Sequence, residues 1–198
     1  SIRSLDTVKV GMLGTAATID VVAAGLKRQA WKNVVVDPVL ICKGGDLGPA
    51  REVDDQLREK ILSQATVATP NYFEACTLSG LDRLETVEEM TEAARIISAQ
   101  GPRYVLVKGG VDFPGPDAVD VLWDGEAATV YSEPKVGHER VSGAGCTLAA
   151  AVTAELAKGA GIHDAVRVAK DVVTASIKGR VPAGTPFDWA WQGAYASA

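Results

Sequence analysis

Short apolar runs alternate with stretches of helical periodicity along most of the chain. The runs are rich in β-branched residues, as is typical of strands, whereas the longer stretches repeat their apolar positions at helical spacing. A strand–helix–strand order builds parallel strand pairs with helices on the faces of the sheet, so the pattern predicts an α/β fold. The predicted strands cover residues 7–12, 33–36, 65–68 and 104–107, and the predicted helices cover residues 18–28, 54–63 and 87–100.

The pattern changes after residue 110. Residues 119–123 and 127–132 are apolar runs that flank Asp124-Gly125-Glu126, a turn-forming triplet, and they predict a hairpin with an antiparallel edge. The tail from Pro182 is aromatic and irregular, which favours a packed C-terminal flap over a functional site. The last predicted helices cover residues 147–158 and 162–178.

The composition fits one domain with a sizeable core, because the chain has 198 residues of which 47% are apolar. A net charge of −5 without a basic cluster argues against nucleic acid as the main partner. No apolar run of the sequence is long enough to span a membrane, and no charged-then-apolar leader opens it, which predicts a cytoplasmic protein. Cys42, Cys76 and Cys146 are widely separated and odd in number, which favours free thiols over a disulfide framework.

A loop of small residues, Gly143-Ala144-Gly145-Cys146, runs into an Ala-rich helix predicted to start near Thr147. Successive backbone N–H groups of such a loop can converge on one point, and the helix dipole favours negative charge there, so the loop is a candidate phosphate site. The Cys146 thiol would then lie where a substrate hydroxyl gives up a proton beside an incoming phosphate. Tight packing of helix against strand would use the same small residues, and no Gly-Lys-Ser/Thr marks a Walker A loop.

Polar residues follow directly after several predicted strands. Asp37 follows the second strand, Asn71 and Glu74 follow the third, and Lys108 follows the fourth. Because ligands of open parallel sheets bind beyond the carboxyl ends of the strands, these side chains are candidates for a shared site. Taken singly, each has a structural explanation: a turn or cap for Asp37 and Asn71, a first-turn acid for Glu74 and a solvated end for Lys108.

Several segments, read in order from near residue 7 to near residue 178, carry a resemblance to a known family. Together they resemble the ribokinase-like superfamily, and within it the vitamin kinases: the hydroxymethylpyrimidine (phosphate) kinases and the pyridoxal kinases of Gram-positive type. The segments are Lys9-Val10-Gly11-Met12-Leu13, Val36-Asp37-Pro38-Val39 with Cys42-Lys43-Gly44, Ala68-Thr69-Pro70-Asn71 with Glu74, Val107-Lys108-Gly109-Gly110, and Gly143-Ala144-Gly145-Cys146-Thr147 with Ala154-Glu155-Leu156-Ala157-Lys158-Gly159.

The resemblance implies a three-layer ribokinase-like fold for residues 1–198 as a single kinase domain. Its sheet would be mostly parallel, with helices on both faces and an antiparallel edge hairpin. Chains of this kind normally begin with a strand and a Gly-rich, Asp-containing segment. This chain starts at Ser1, just before the predicted strand at 7–12, so we expect a domain that lacks its N-terminal segment.

The resemblance also implies roles for particular residues. Cys146 stands where most of the superfamily has a catalytic Asp, and Cys42 lies in a region that resembles a mobile lid over the substrate; an ordinary semi-buried cysteine is the alternative for Cys42. The other implied roles are an anion hole at Gly143, Ala144 and Gly145, a nucleotide-phosphate contact at Lys108, organisation of Mg²⁺ and phosphate by Asn71 and Glu74 with Asp37, and a wall of the vitamin pocket at Gly11 and Met12.

On this basis we expect an ATP- and Mg²⁺-dependent kinase that phosphorylates a hydroxymethyl group on a small heteroaromatic vitamin precursor. Pyridoxal or a related vitamin B6 compound is the first expectation, because residues 38–44 and 71–75 look most like that group. Hydroxymethylpyrimidine is the alternative substrate. A nucleotide-binding subunit without turnover is the alternative of another class, and the resemblance further implies a homodimer.

Overall fold

The computed structural model of the protein describes residues 5–40, 49–184 and 186–196. Within these ranges, six strands form one sheet in the order in which they occur along the chain. The first four strands pair in parallel, and the last three form two antiparallel pairs. The strands are β1 (Thr7–Val10), β2 (Asn33–Val36), β3 (Val67–Ala68), β4 (Tyr104–Lys108), β5 (Asp117–Trp123) and β6 (Ala128–Pro134).

Helices connect the parallel strands and cover both faces of the sheet, which confirms the predicted α/β fold of three layers. Side chains alternate between the faces of a strand, so Val34 and Val36 of β2 join one buried cluster while Val35 joins the other. The first cluster packs under the helices before β4, and the second packs under the helices after β6. The helices are α1 (Ala16–Leu26), α2 (Pro49–Lys60), α3 (Tyr72–Ser79), α4 (Val87–Ser98), α5 (Ala144–Ala157), α6 (Ile162–Lys178) and the short α7 (Gly193–Ala196).

The predicted hairpin between β5 and β6 is confirmed. Asp124 closes its turn, because its carboxylate accepts hydrogen bonds from the backbone N–H groups of Glu126 and Ala127. Gly125 between them has a positive φ of 102°, which a residue with a side chain rarely adopts. The hairpin adds an antiparallel edge to the parallel sheet.

Helix α5 begins earlier than predicted, at Ala144 rather than near Thr147. Gly143 is its N-cap and has a left-handed φ of 83°, so the chain turns there and the next residues are already helical. The N–H of Thr147 donates to the carbonyl oxygen of Gly143 at 2.9 Å. The small residues predicted as a loop are therefore mostly the first turn of a helix.

The aromatic C-terminal segment packs against the rest of the domain, as predicted. Trp189 exchanges two backbone hydrogen bonds with Val181, and the N–H of Trp191 donates to Ser176 near the end of α6. The side chains of both tryptophans remain half exposed. None of the helices among the described residues combines the length and apolar character needed to cross a bilayer.

Candidate active site

A cavity of about 560 Å³ opens beyond the carboxyl ends of the parallel strands. Its polar lining includes Asp37, Asn71, Glu74 and Lys108, the residues predicted to share a site because each follows a strand. The N-terminal turn of α5 lines the same cavity with Gly143, Ala144, Gly145 and Cys146. Apolar lining comes from Val136, Val141, Leu148, Val173 and Ile177.

Asp37 and Lys108 form an ion pair in this cavity. The Lys108 Nζ lies 2.9 Å from Asp37 Oδ1, and the two residues are only 9% and 2% exposed. The Thr69 hydroxyl donates to the same oxygen at 3.2 Å, and Lys9 Nζ lies 3.9 Å from the other. Burial acts to raise the pKa of Asp37, but the Lys108 charge and hydrogen bond, with Lys9 and Thr69, outweigh it and lower the pKa. Lys108 is therefore not a solvated strand end.

Asn71 and Glu74 form a reciprocal cap at the start of α3. The Asn71 side chain accepts from the Glu74 N–H at 2.9 Å, and the Glu74 carboxylate accepts from the Asn71 N–H at 2.7 Å. The structural interpretation of this pair as a helix cap is therefore confirmed. Both residues also line the cavity, which leaves them available for the predicted contact with Mg²⁺ and phosphate. The cap fixes the Glu74 carboxylate at the cavity wall.

Glu74 is the most strongly perturbed acid of the cavity. The residue is 4% exposed, and burial raises its pKa to about 7, with the negative charge of Asp37 acting in the same direction. The positive charge of Lys108 and hydrogen bonds from the Asn71 and Leu40 backbones oppose this rise without cancelling it. Glu74 therefore changes charge near neutral pH, beside the Asp37–Lys108 pair.

We expect Glu74→Gln to change how stability depends on pH. The folded pKa of about 7 lies above the unfolded value of 4.5, so folded wild type binds more protons and loses stability as pH rises between these values. Gln cannot ionise, so from pH 4.5 to pH 8 the variant should gain about 3 kcal/mol in free energy of unfolding relative to wild type. Urea unfolding of both proteins across this range measures the difference.

Glu89→Gln is the matched control for this measurement. Glu89 occupies the same position in the capping box of α4, with Thr86 as its partner, but its hydrogen bonds are exposed to solvent. The control should show no comparable change with pH. Parallel pH profiles for wild type and Glu74→Gln would contradict the raised pKa.

The first turn of α5 presents backbone donors to the cavity. The N–H groups of Gly145 and Cys146 lie within the first helical turn, where an α-helix offers no acceptor of its own. A methyl group added to Gly145 would lie 3.2 Å from Lys108 Nζ. The first turn of α5 therefore lies directly beside the Asp37–Lys108 pair. Helix dipole, free donors and a buried ammonium group together make the first turn of α5 the candidate anion-binding turn of the cavity.

Cys146 is exposed and lines the cavity from the third position of α5. Cys76, by contrast, is partly buried on α3 against the core, and burial raises its pKa. Of the two thiols in the described ranges, only Cys146 can meet a ligand in the cavity. The structure therefore places Cys146 at the cavity, and its catalytic role stays a prediction.

Two other predicted residues, Gly11 and Met12, are not brought into the described cavity, and a third lies outside the described residues. Gly11 and Met12 directly follow β1 at the same edge of the sheet, but neither belongs to the cavity lining that the described ranges provide. Met12 is 71% exposed there. Cys42 lies outside the described residues, as do Lys43 and Gly44 of the predicted lid.

Sequence reasoning missed a second buried ion pair in the cavity wall. Lys170 of α6 lies 2.6 Å from Asp120 of β5 and also donates to the carbonyl oxygen of Ala118. The other Asp120 oxygen accepts from the N–H of Gly109, where any side chain would collide with the Val119 carbonyl at 2.4 Å. The sequence held one signal for this ion pair, because Asp120 is a charged residue inside the apolar run at 119–123.

The donor set of the cavity fits a Mg²⁺ ion that is held partly by phosphates. The described ranges contain no group of three or more His, Cys, Asp or Glu side chains suited to bind a metal on their own. Mg²⁺ commonly keeps several waters and binds through one or two carboxylates together with substrate phosphates. Asp37 and Glu74 supply carboxylate oxygens of this kind at the cavity wall.

Comparison with known proteins agrees with the fold. A family described as phosphomethylpyrimidine kinase matches residues 3–188. A pyridoxine kinase of Bacillus subtilis is 47% identical over 178 residues, which cover 90% of this chain and 66% of that protein. An ADP complex of Bacillus subtilis pyridoxal kinase superimposes with a TM-score of 0.90 at 43% identity, covering 98% of this chain and 72% of that one.

A further solved structure is the pyridoxal kinase of Staphylococcus aureus in complex with AMP-PCP and pyridoxal. It superimposes with a TM-score of 0.86 at 35% identity, covering 96% of this chain and 68% of that one. The fold and the cavity define an α/β protein with a candidate anion-binding helix turn at the carboxyl edge of its sheet. The chain belongs to the phosphomethylpyrimidine kinase family of the ribokinase-like superfamily. It spans about two thirds of the length of the pyridoxine kinases that it matches.

Proposed function

We propose that the chain carries the phosphoryl-transfer site of an ATP-dependent kinase that phosphorylates the hydroxymethyl group of pyridoxal or a related vitamin B6 compound. The observation that carries this proposal is the convergence of the α5 first turn, Lys108 and two buried carboxylates on one cavity. Phosphoryl transfer is mostly positioning and neutralisation of oxygen charge, and this set of groups provides both.

In the proposed reaction, the backbone N–H groups of Gly145 and Cys146 stabilise negative charge on the transferred phosphate, with Lys108 beside them. The Cys146 sulfur accepts the proton of the substrate hydroxyl while the hydroxyl oxygen bonds to the γ-phosphorus and ADP leaves. Bound Mg²⁺ would neutralise phosphate charge. Asp37, Asn71 and Glu74 hold their oxygens at the cavity wall for this purpose.

Vitamin B6 is favoured as the substrate class by the relatives themselves. The Bacillus subtilis relative is a pyridoxine kinase, and the Staphylococcus aureus protein binds pyridoxal together with AMP-PCP. Hydroxymethylpyrimidine is the second candidate, because the family is described as phosphomethylpyrimidine kinase. Both compounds present a hydroxymethyl group on a heteroaromatic ring, so one site could serve either.

A coupled ADP-release assay with purified chain tests the proposal. Pyridoxal, hydroxymethylpyrimidine and a sugar are offered separately with ATP and Mg²⁺, and the phosphorylated product is identified by mass spectrometry. Highest kcat/KM with pyridoxal is the expected result, and preference for hydroxymethylpyrimidine would select the second candidate. Nucleotide binding without any transfer would instead favour a subunit without turnover.

A separate prediction concerns the thiols and pyridoxal. Pyridoxal carries an aldehyde to which a thiolate can add reversibly, whereas hydroxymethylpyrimidine has no such carbon. We expect pyridoxal to slow the alkylation of Cys42, Cys146 or both, and Cys42→Ala to weaken pyridoxal turnover more than pyrimidine turnover. Peptide mass spectrometry after timed alkylation measures each site.

Cys76 is the internal control for this experiment, because it lies on α3 against the core and away from the cavity lining. Its alkylation rate should not respond to pyridoxal. Unchanged rates at both Cys42 and Cys146, in protein shown to bind pyridoxal, would contradict thiol participation and leave Cys42 as a packing residue.

The homodimer, the cytoplasmic location and the organisation of residues 1–198 as one kinase domain belong to the same proposal. The resemblance to vitamin kinases supports the homodimer and the single kinase domain, the sequence pattern supports the location, and all three stay predictions. Light scattering on the purified chain across a concentration series tests the dimer directly. A single mass equal to that of one chain at all concentrations would contradict it.

A further inference from the structure

The C-terminal segment 188–192, which we name the C-terminal brace, contacts the anion-binding turn of α5 directly. The backbone N–H of Ser142 donates to the Asp188 carbonyl oxygen at 2.8 Å, and the N–H of Ala190 donates to the Ser142 carbonyl oxygen at 3.0 Å. Both backbone groups of Ser142 are therefore held by the brace. Ser142 immediately precedes Gly143, the N-cap of α5.

A side-chain relay adds a second connection. Gln192 Nε2 donates to the hydroxyl of Thr147 at 2.8 Å, and that hydroxyl donates to the Gly143 carbonyl oxygen at 2.8 Å. Thr147 is almost fully buried, so few waters can replace the amide if it is removed. The N-cap residue Gly143 is thus held on two sides: through Ser142, which precedes it, and through Thr147, which lies one turn further along α5.

The brace is itself anchored to the end of α6 and to the residues that follow that helix. Trp189 and Val181 each donate a backbone hydrogen bond to the other, and the N–H of Trp191 donates to the Ser176 carbonyl oxygen at 3.0 Å. Arg180 Nε lies 3.2 Å from the Asp188 carboxylate. The brace therefore links the end of α6 to the start of α5, and any displacement of the brace acts on the turn that faces Lys108.

We infer that Gln192 is a positioning residue, which acts through Thr147 and Gly143 to hold the anion-binding turn of α5 in the geometry needed for phosphoryl transfer. The inference rests on the proposed function for its catalytic consequence. Stabilisation of transition-state charge depends on donors held in place before the reaction, and displacements of about 1 Å can cost up to a hundredfold in rate. Gln192 itself need not touch the nucleotide.

Two substitutions at Gln192 remove the amide donor in different ways. Gln192→Ala deletes the side chain, whereas Gln192→Glu keeps its shape but cannot donate from an ionised carboxylate. Each should lower kcat by about tenfold with little change in the KM of the acceptor, because the turn is assigned to the transferring phosphate. Gln29→Ala is the matched control, since Gln29 donates one side-chain hydrogen bond to Leu5 at the surface, away from the cavity.

Substitutions at Thr147 test the relay itself. Thr147→Ser keeps the hydroxyl and should retain more activity than Thr147→Val, which removes it. In a double-mutant cycle, Gln192→Ala and Thr147→Val should lower kcat by less than the product of their separate effects, because both break one relay. Independent, multiplicative effects would overturn the relay.

Amide hydrogen exchange gives a readout that does not need activity. The N–H groups of Ser142 and Thr147 are hydrogen-bonded in the structure, and in Gln192→Ala they should exchange about tenfold faster while core amides of β4 keep their rates. If wild type transfers no phosphate, the proposed function fails, but this measurement still decides whether the brace holds the turn. The inference would be overturned if Gln192→Ala kept both the kcat and the exchange rates of wild type. It would also be overturned if the loss of kcat equalled the fraction of Gln192→Ala that thermal unfolding shows to be unfolded under the assay conditions.

Discussion

Cys146→Ala is expected to lower kcat by about a hundredfold while nucleotide affinity stays close to that of wild type. Cys146 lines the cavity from the first turn of α5 and is exposed there, so its thiol can reach a bound hydroxyl. A general base acts on the proton that moves in the transition state, whereas the proposed nucleotide contacts are backbone N–H groups that the substitution leaves in place. Steady-state kinetics with the preferred acceptor, and ADP binding by calorimetry, measure the two quantities.

Cys76→Ala is the matched control, because it removes a thiol that packs against the core outside the cavity. It should affect stability more than kcat. Cys146→Asp is informative as well, since Asp stands at this position in most of the superfamily, and it should retain more activity than the alanine variant. A near-normal kcat in Cys146→Ala would remove the thiol from the mechanism.

Lys108→Met is expected to lower kcat/KM for ATP by at least a hundredfold. The Lys108 ammonium group pairs with Asp37 at 2.9 Å and lies beside Gly145 at the anion-binding turn. Without it, phosphate oxygens lose a buried positive partner, and Asp37 remains as a buried carboxylate that repels them. Initial rates across a series of ATP concentrations measure the loss.

The same substitution should also destabilise the fold, by about 3 kcal/mol, because it breaks a buried ion pair and leaves one charge behind. Kinetics are therefore measured well below the unfolding temperature, with folding checked by circular dichroism. Lys60→Met is the control, since Lys60 pairs with Asp20 at the exposed surface, where such pairs contribute little. Wild-type kcat/KM in folded Lys108→Met would contradict its role at the phosphates.

The alternation of strands and helices could be predicted from the sequence because it depends on local periodicity. Helix α6 begins and ends where its apolar spacing predicts, at Ile162–Lys178. The edge of the sheet that holds the site was also predictable, because Asp37, Asn71 and Lys108 each follow a predicted strand and parallel strands end at one edge. In the structure Lys108 is itself the last residue of β4. The start of α5 was not predictable from the sequence. It depends on the left-handed φ of Gly143, a conformation that glycine permits but does not require.

The partners of each polar group depend on the tertiary structure. The sequence places Lys108 after a strand, but its contact with Asp37 joins residues far apart in the chain, and burial of both makes the pair strong. Burial likewise raises the pKa of Glu74 to about 7, although its capping position with Asn71 could be read locally. The contact between Gln192 and Thr147 carries no local signal at all. Periodicity reports which face of an element is buried, whereas charge, protonation and positioning depend on neighbours that only folding brings together.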